Sequence, residues 1–154
     1  MAMLQVDTGR FTVGVFQDAA WAQKGLEALS HAGFVPESLT ILAKDTPDAA
    51  GLFAPTFGAP GAVLELSGVG SVRAHGPLLA ALDGASHDLA RLGLAGTMRR
   101  VGFQAHDGRI FEALAARGGV LVAIHSEPRA AEALALLHSY GGGNAAIGAW
   151  TGRV

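Results

Sequence analysis

Two stretches near opposite ends of the chain carry the same array of apolar and polar positions. In the first, "RFTVGVFQ" reads as a strand, Asp18 stands where a helix cap belongs, and Ala22, Leu26 and Leu29 recur at helical spacing until Gly33. A second strand, "SLTILAK", follows the turn at Pro36. In the later stretch, "GGVLVAIH" reads as a strand, Ser126 can cap, Pro128 suits a first helical turn, and a helix runs through Leu134 and Leu137 to Gly141. "AAIGAW" then closes the array as a last strand. An offset of 108 residues, that from Gly33 to Gly141, also carries Ala22 to Ala130, Leu26 to Leu134, Leu29 to Leu137, Asp18 to Ser126 and Gln17 to His125. Coincident caps, stops and apolar positions predict a duplication. Two βαβ units in series predict an α+β fold, the ferredoxin-like βαβ-βαβ sandwich, as a single domain over residues 1–154 with halves at 10–45 and 118–151.

Residues 46–117 form an insert between the halves. Its first part, "TPDAAGLFAPTFGAPGA", has the Pro and Gly density of a loop, and "AVLEL" reads as a short extra strand. "SGVGSVRAHG" reads as a flexible lead into a helix that starts at Pro77. That helix, "GPLLAALDGASHDLARLG", spaces Leu78, Leu82, Ala85, Leu89 and Leu92 along one face and Asp83, His87 and Arg91 along another. Residues 94–101 read as another turn or two, and "HDGRIFEALAARGG" as a second helix presenting Ile110, Phe111 and Leu114. All five residues of "VLVAI" are apolar, so both faces of that strand should be buried. The repeat helices can cover one face only; the insert helices or a second subunit must cover the other.

Composition sharpens the question of partners. Apolar residues make up 50% of the 154 and charged residues 16%, against about 25% charged in an ordinary soluble domain, so a homo-oligomer or a protein partner is expected. A net charge of -2 without a longer basic run than Arg99 and Arg100 argues against nucleic acid and against an anionic membrane surface. The longest uncharged stretch, 49–64, is broken by Gly and Pro and is shorter than the roughly 20 residues of a membrane helix. The absence of cysteine suits a reducing cytoplasm, and "MAMLQVDTGRFTVGVF" lacks the basic and apolar regions of a signal peptide, so a cytoplasmic location is expected.

"TVGVFQDAAWAQKGLEALSHAGF", "GSVRAHGPLLAAL" and "GFQAHDGRIFEALAARGGVLVAIHSEPRAAEALALL" together resemble the bacterial heat-induced or general stress proteins of the 17M-like kind. The resemblance spans most of the chain and implies a stress-associated protein. It brings no catalytic set. Where such proteins carry a proline and acidic residues ahead of an aromatic residue and Glu, this chain keeps Gly102, Phe111 and Glu112 but has "QAHD". Asp83, Asp88, Arg91, Arg99 and Arg100 also charge a middle region that is nearly uncharged in many of them.

Few constellations point to chemistry. Gly68 and Gly70 lack the third glycine of a dinucleotide fingerprint, and neither a GK[ST] nor a G-x-S-x-G motif occurs. "RGGVLVAI" offers aliphatics where an RNA-binding strand would place stacking aromatics. The enzyme-like alternative is a divalent metal held by His75, His87, His106 and Glu112, with Asp83, Asp88 and Asp107 near them in sequence. Asp83 and His87, four apart, share a helix face, which suits a shared ion or an ordinary exposed pair. His31 and His138 fall near helix C-termini, where imidazole meets the negative end of the dipole. Trp21 reads as a helix-face anchor and Trp150 as a strand-end core or interface residue. His125 reads as a polar strand terminus rather than a catalytic base, because antiparallel central strands would put it and Gln17 near opposite ends of the pair. The sequence is thus read as a non-enzymatic, self-associating or protein-interaction module without a cofactor. The alternative is a metal- or small-ligand-binding enzyme with its site between insert and sheet.

Overall fold

Alternation along the first strand sorts its side chains between two cores. In the computed structural model, which describes residues 10–83, 88–100, 105–125, 129–140 and 150–153, β1 (Arg10–Phe16) sends Phe11, Val13 and Val15 to one face and Phe16 to the other. Asp18 Oδ1 accepts the Trp21 N–H at 2.9 Å and so starts α1 (Ala19–His31), which buries Ala22, Gly25, Leu26 and Leu29. Just past its end Gly33 takes a left-handed φ of 92°. A 3-10 turn at Pro36–Ser38 leads into β2 (Leu39–Lys44). The second array supplies β5 (Val120–Ile124), α7 (Ala130–Ser139) and β6 (Trp150–Arg153). Ser126, Pro128 and Gly141 lie outside the described residues. The strand expected from "AAIGAW" is described only from Trp150 and runs on to Arg153.

The insert is more regular than its composition suggests. Its Pro- and Gly-rich start, expected as a loop, holds α2 (Pro47–Ala50) and α3 (Phe53–Phe57): Thr46 Oγ1 accepts the Ala49 N–H at 3.1 Å, and Pro47 occupies a first-turn position where no N–H is needed. β3 (Ala62–Leu66) matches the extra strand. The supposed flexible lead is a second strand, β4 (Gly70–His75), whose Val72 and Ala74 are buried while Ser71 and Arg73 point the other way. The long amphipathic helix is described as two elements, α4 (Pro77–Asp83) and α5 (Asp88–Arg100), with 84–87 outside the described residues. α5 breaks its helical geometry at Gly93 (φ 80°, ψ 174°) and resumes over 94–100. That break corrects the expected apolar stripe: Leu94 is buried in place of Leu92, which is 43% exposed. Trp21 is likewise no anchor; it is 40% exposed, with Lys24 Nζ 4.7 Å above its ring. α6 (Ala105–Ala116) completes the insert.

The six strands form one antiparallel sheet in the order β3-β4-β2-β5-β1-β6. The register of its strands follows the 108-residue offset. Gly14 faces Val122 in the central β1–β5 pair, and the 108-residue offset exchanges these two positions, so a local two-fold axis passes between them. β1 sets Thr12 opposite Thr151 of β6. The same offset turns that pair into Val120 opposite Ala43, the next step after Leu121 opposite Leu42 in the β2–β5 pair. The β3–β4 hairpin then widens the sheet beyond β2.

Helices cover both faces. Phe16, Ile41, Val122 and Ile124 pack with Leu26 and Leu29 of α1, Leu137 of α7 and Phe53 of α3. On the other face, Val13, Val15, Leu42 and Leu121 pack with Leu78, Leu94, Met98 and Phe111 of α4, α5 and α6. Every residue of β5 is at most 1% exposed. The insert helices therefore cover the second face, and no second subunit is needed there.

One long-range hydrogen bond fixes where α4 begins. Gly76, just before the helix, has no side chain to cap it, and Thr40 Oγ1 of β2 accepts the Leu78 N–H at 2.9 Å in a buried setting. Thr40→Val keeps the shape but removes the acceptor, leaving a buried N–H unpaired. The expected loss is about 1–2 kcal/mol in the free energy of unfolding by urea; an unchanged midpoint would show that another group takes over the cap.

Candidate functional site

α1 buries one stripe, and Leu26 at its edge, with the exposed Gln23, Glu27 and Ser30 beside it, forms one wall of a cavity of about 270 Å³. The floor comes from the chain leaving α1. The Phe34 N–H donates to the Leu29 carbonyl at 3.1 Å, which turns Phe34 inward, and Leu39 follows at the start of β2. Gly51 and Leu52, from the link between α2 and α3, and Pro55 and Thr56 of α3 form the far wall. Leu26, Phe34, Leu39 and Leu52 are all at most 7% exposed. Among the described residues Glu27 is the only charged one of the lining, and Gln23 Nε2 donates to its Oε2 at 3.4 Å.

A shallower hollow of about 520 Å³ adjoins the cavity and shares Gln23, Gly51 and Leu52 with it. Its charged residues are Asp18 and Asp48, at the starts of α1 and α2. At the other end, the Arg129 guanidinium lies 4.0 Å above the Phe34 ring. Its Nη2 donates to the Ala32 carbonyl at 2.6 Å and pairs with Glu132 Oε2 at 2.8 Å. This one side chain ties the end of α1 to the start of α7.

Of the residues proposed from sequence for a metal, the structure places His75 and Glu112, and it does not draw these two together. The His75 ring packs on Phe57, centroids 4.4 Å apart, beside the core that α1 and α3 cover. Glu112 works on the opposite face of the sheet, where its Oε1 accepts the Ala95 N–H at 3.0 Å and caps the part of α5 that follows Gly93. The sheet separates these two. His106 belongs to α6, with its side chain outside the described part, and His87 lies outside the described residues. Among the described residues, no group of three or more His, Asp or Glu is placed to hold a metal ion. His125 ends β5 with its ring stacked on Phe11 at 4.9 Å and its N–H bonded to the Ser38 carbonyl at 2.8 Å. Because Phe16 pairs with Val120 and Thr12 with Ile124, Gln17 and His125 stand at opposite ends of the strand pair.

Sequence reading missed the cavity. Gln23, Glu27 and Ser30 flank Leu26 one step off the apolar stripe of α1 and look like an ordinary solvated face. The available signal was Thr46-Pro47-Asp48, a cap followed by a first-turn proline, which marks the start of the opposite wall. No helix among the described residues is long and apolar enough to cross a membrane. Compared with protein-family models, with curated proteins and with solved structures, the chain matches none.

Proposed function

We propose that this chain is a non-enzymatic, stress-associated protein of ferredoxin-like fold that works in the cytoplasm by associating with itself through the free edge of β3. The strand order β2-β5-β1-β6, with its two βαβ arms in matching register, supports the ferredoxin-like reading. The stress role rests on the resemblance carried by "TVGVFQDAAWAQKGLEAL" and "GGVLVAIHSEPRAAEALALL".

The observation that carries self-association is the β3 edge. Among the described residues β3 ends the sheet, and one side of its backbone has no neighbouring strand there. Val63 is 51% exposed on it, beside Arg73 of β4, while Glu65 is engaged by the Ser71 hydroxyl. An exposed β-branched residue on an unpaired edge is the surface that a second copy can extend by strand addition. Light scattering coupled to size exclusion should give a mass of two or more chains for the native protein and of one chain for Val63→Lys, which places a charge on that edge. A native protein that is monomeric across the accessible concentration range would overturn the proposal.

A further inference from the structure

We infer that the cavity between α1 and α3 is a binding site for a small organic cation: a primary amine carried on a compact apolar body. Its volume of about 270 Å³ admits on the order of nine heavy atoms, taking ~30 Å³ as the space a water occupies in the liquid. The walls that would hold the body are Leu26, Phe34 and Leu52, whose small residual exposure opens into the cavity.

Charge selects the head group. Among the described residues Glu27 is the one acidic side chain in the lining, and the adjoining hollow adds Asp18 and Asp48. Among the described residues no Lys, Arg or His lines either space. Outside the lining, Lys24 lies over the Trp21 ring, and Arg129 is paired with Glu132, the Ala32 carbonyl and the Phe34 ring. The charged groups that line the two spaces are thus all carboxylates, which favours an ammonium over a carboxylate there. Gln23 leans on Glu27 Oε2 alone, at a length where the bond is weak, so the carboxylate keeps acceptor capacity toward the cavity. The site is independent of the β3 edge.

The test uses 2-phenylethylammonium as the probe and benzoate, an aromatic anion with the same number of heavy atoms, as its counterpart, each titrated into the full chain and followed by amide NMR shifts. The expected result is saturable shifts from the ammonium over residues 23–30 and 51–56, with clearly weaker ones from the carboxylate. Glu27→Gln should weaken the ammonium about fivefold, the scale of a partly exposed ion pair. Ser30→Trp, at an exposed position on the rim, should abolish the shifts by filling the cavity. Glu27 is exposed, so its variant tests the charge without touching the core. Saturation absent up to about 10 mM, equal binding of the two probes, or an unaltered affinity in Glu27→Gln would each overturn the inference. Val63→Lys should leave the titration unchanged whatever its effect on mass.

Discussion

Gly76→Ala is expected to destabilise the fold by about 3–5 kcal/mol, combining the strain of a positive φ with overpacking against a strand. Gly76 sits at φ +127°, and a Cβ there would stand 2.3 Å from the Leu39 carbonyl oxygen and 2.5 Å from Thr40 Cα. Both are backbone atoms of β2, which is hydrogen-bonded to β4 on one side and β5 on the other. Neither neighbour can yield. The same methyl would fall 2.5 Å from Thr40 Oγ1, the atom that caps α4, so the substitution strikes turn and cap together. Against a typical total of 5–15 kcal/mol, such a loss leaves a marginal domain. Urea denaturation followed by circular dichroism reads it directly. A loss below about 1 kcal/mol would mean that the turn relaxes at no cost to β2.

The second large effect is a reversal of sign at Gly25. The Phe16 ring, fully buried, ends over the backbone of α1, and a Cβ on Gly25 would lie 2.4 Å from Phe16 Cζ. Phe16→Ala should cost about 3–5 kcal/mol through its cavity, and Gly25→Ala about 1–3 kcal/mol through the clash, despite alanine's better helix propensity. With the ring removed the clash vanishes and only the propensity remains. In the Phe16→Ala background, Gly25→Ala should therefore be neutral or stabilising by up to about 1 kcal/mol. The four proteins of the cycle, unfolded under one set of conditions, give the coupling. Additive losses would show that ring and glycine do not meet.

Much of the frame was legible because local chemistry and global fold agree in the two βαβ arms. Asp18 caps, Gly33 stops, and Ala22, Leu26 and Leu29 are buried as their spacing requires. The offset that aligned these residues also reproduces the strand register. β4 was hidden by Gly68, Gly70 and Gly76, which read as a loop although Val72 and Ala74 alternate with Ser71 and Arg73. His75 and Glu112 looked like members of one cluster because they share one insert. That insert straddles the sheet, with α3 on one face and α4 to α6 on the other, which puts His75 and Glu112 on opposite sides. The cavity was illegible for a related reason: its two walls, Gln23 to Ser30 and Gly51 to Thr56, belong to segments whose approach is decided by tertiary packing.

The pairing of β1 with β5 has a consequence for how the chain folds. Phe16 and Val120 are roughly a hundred residues apart in sequence, and they stand at one end of the β1–β5 ladder. Closing a flexible loop of that length costs about 4 kcal/mol in its length-dependent part alone, before the first hydrogen bond of the pair forms. The β3–β4 hairpin and the contact between α5 and α6 need only local closures. Ordering these first shortens the effective loop, so the insert that divides the duplicated halves also acts as the splint that lets their central strands find each other.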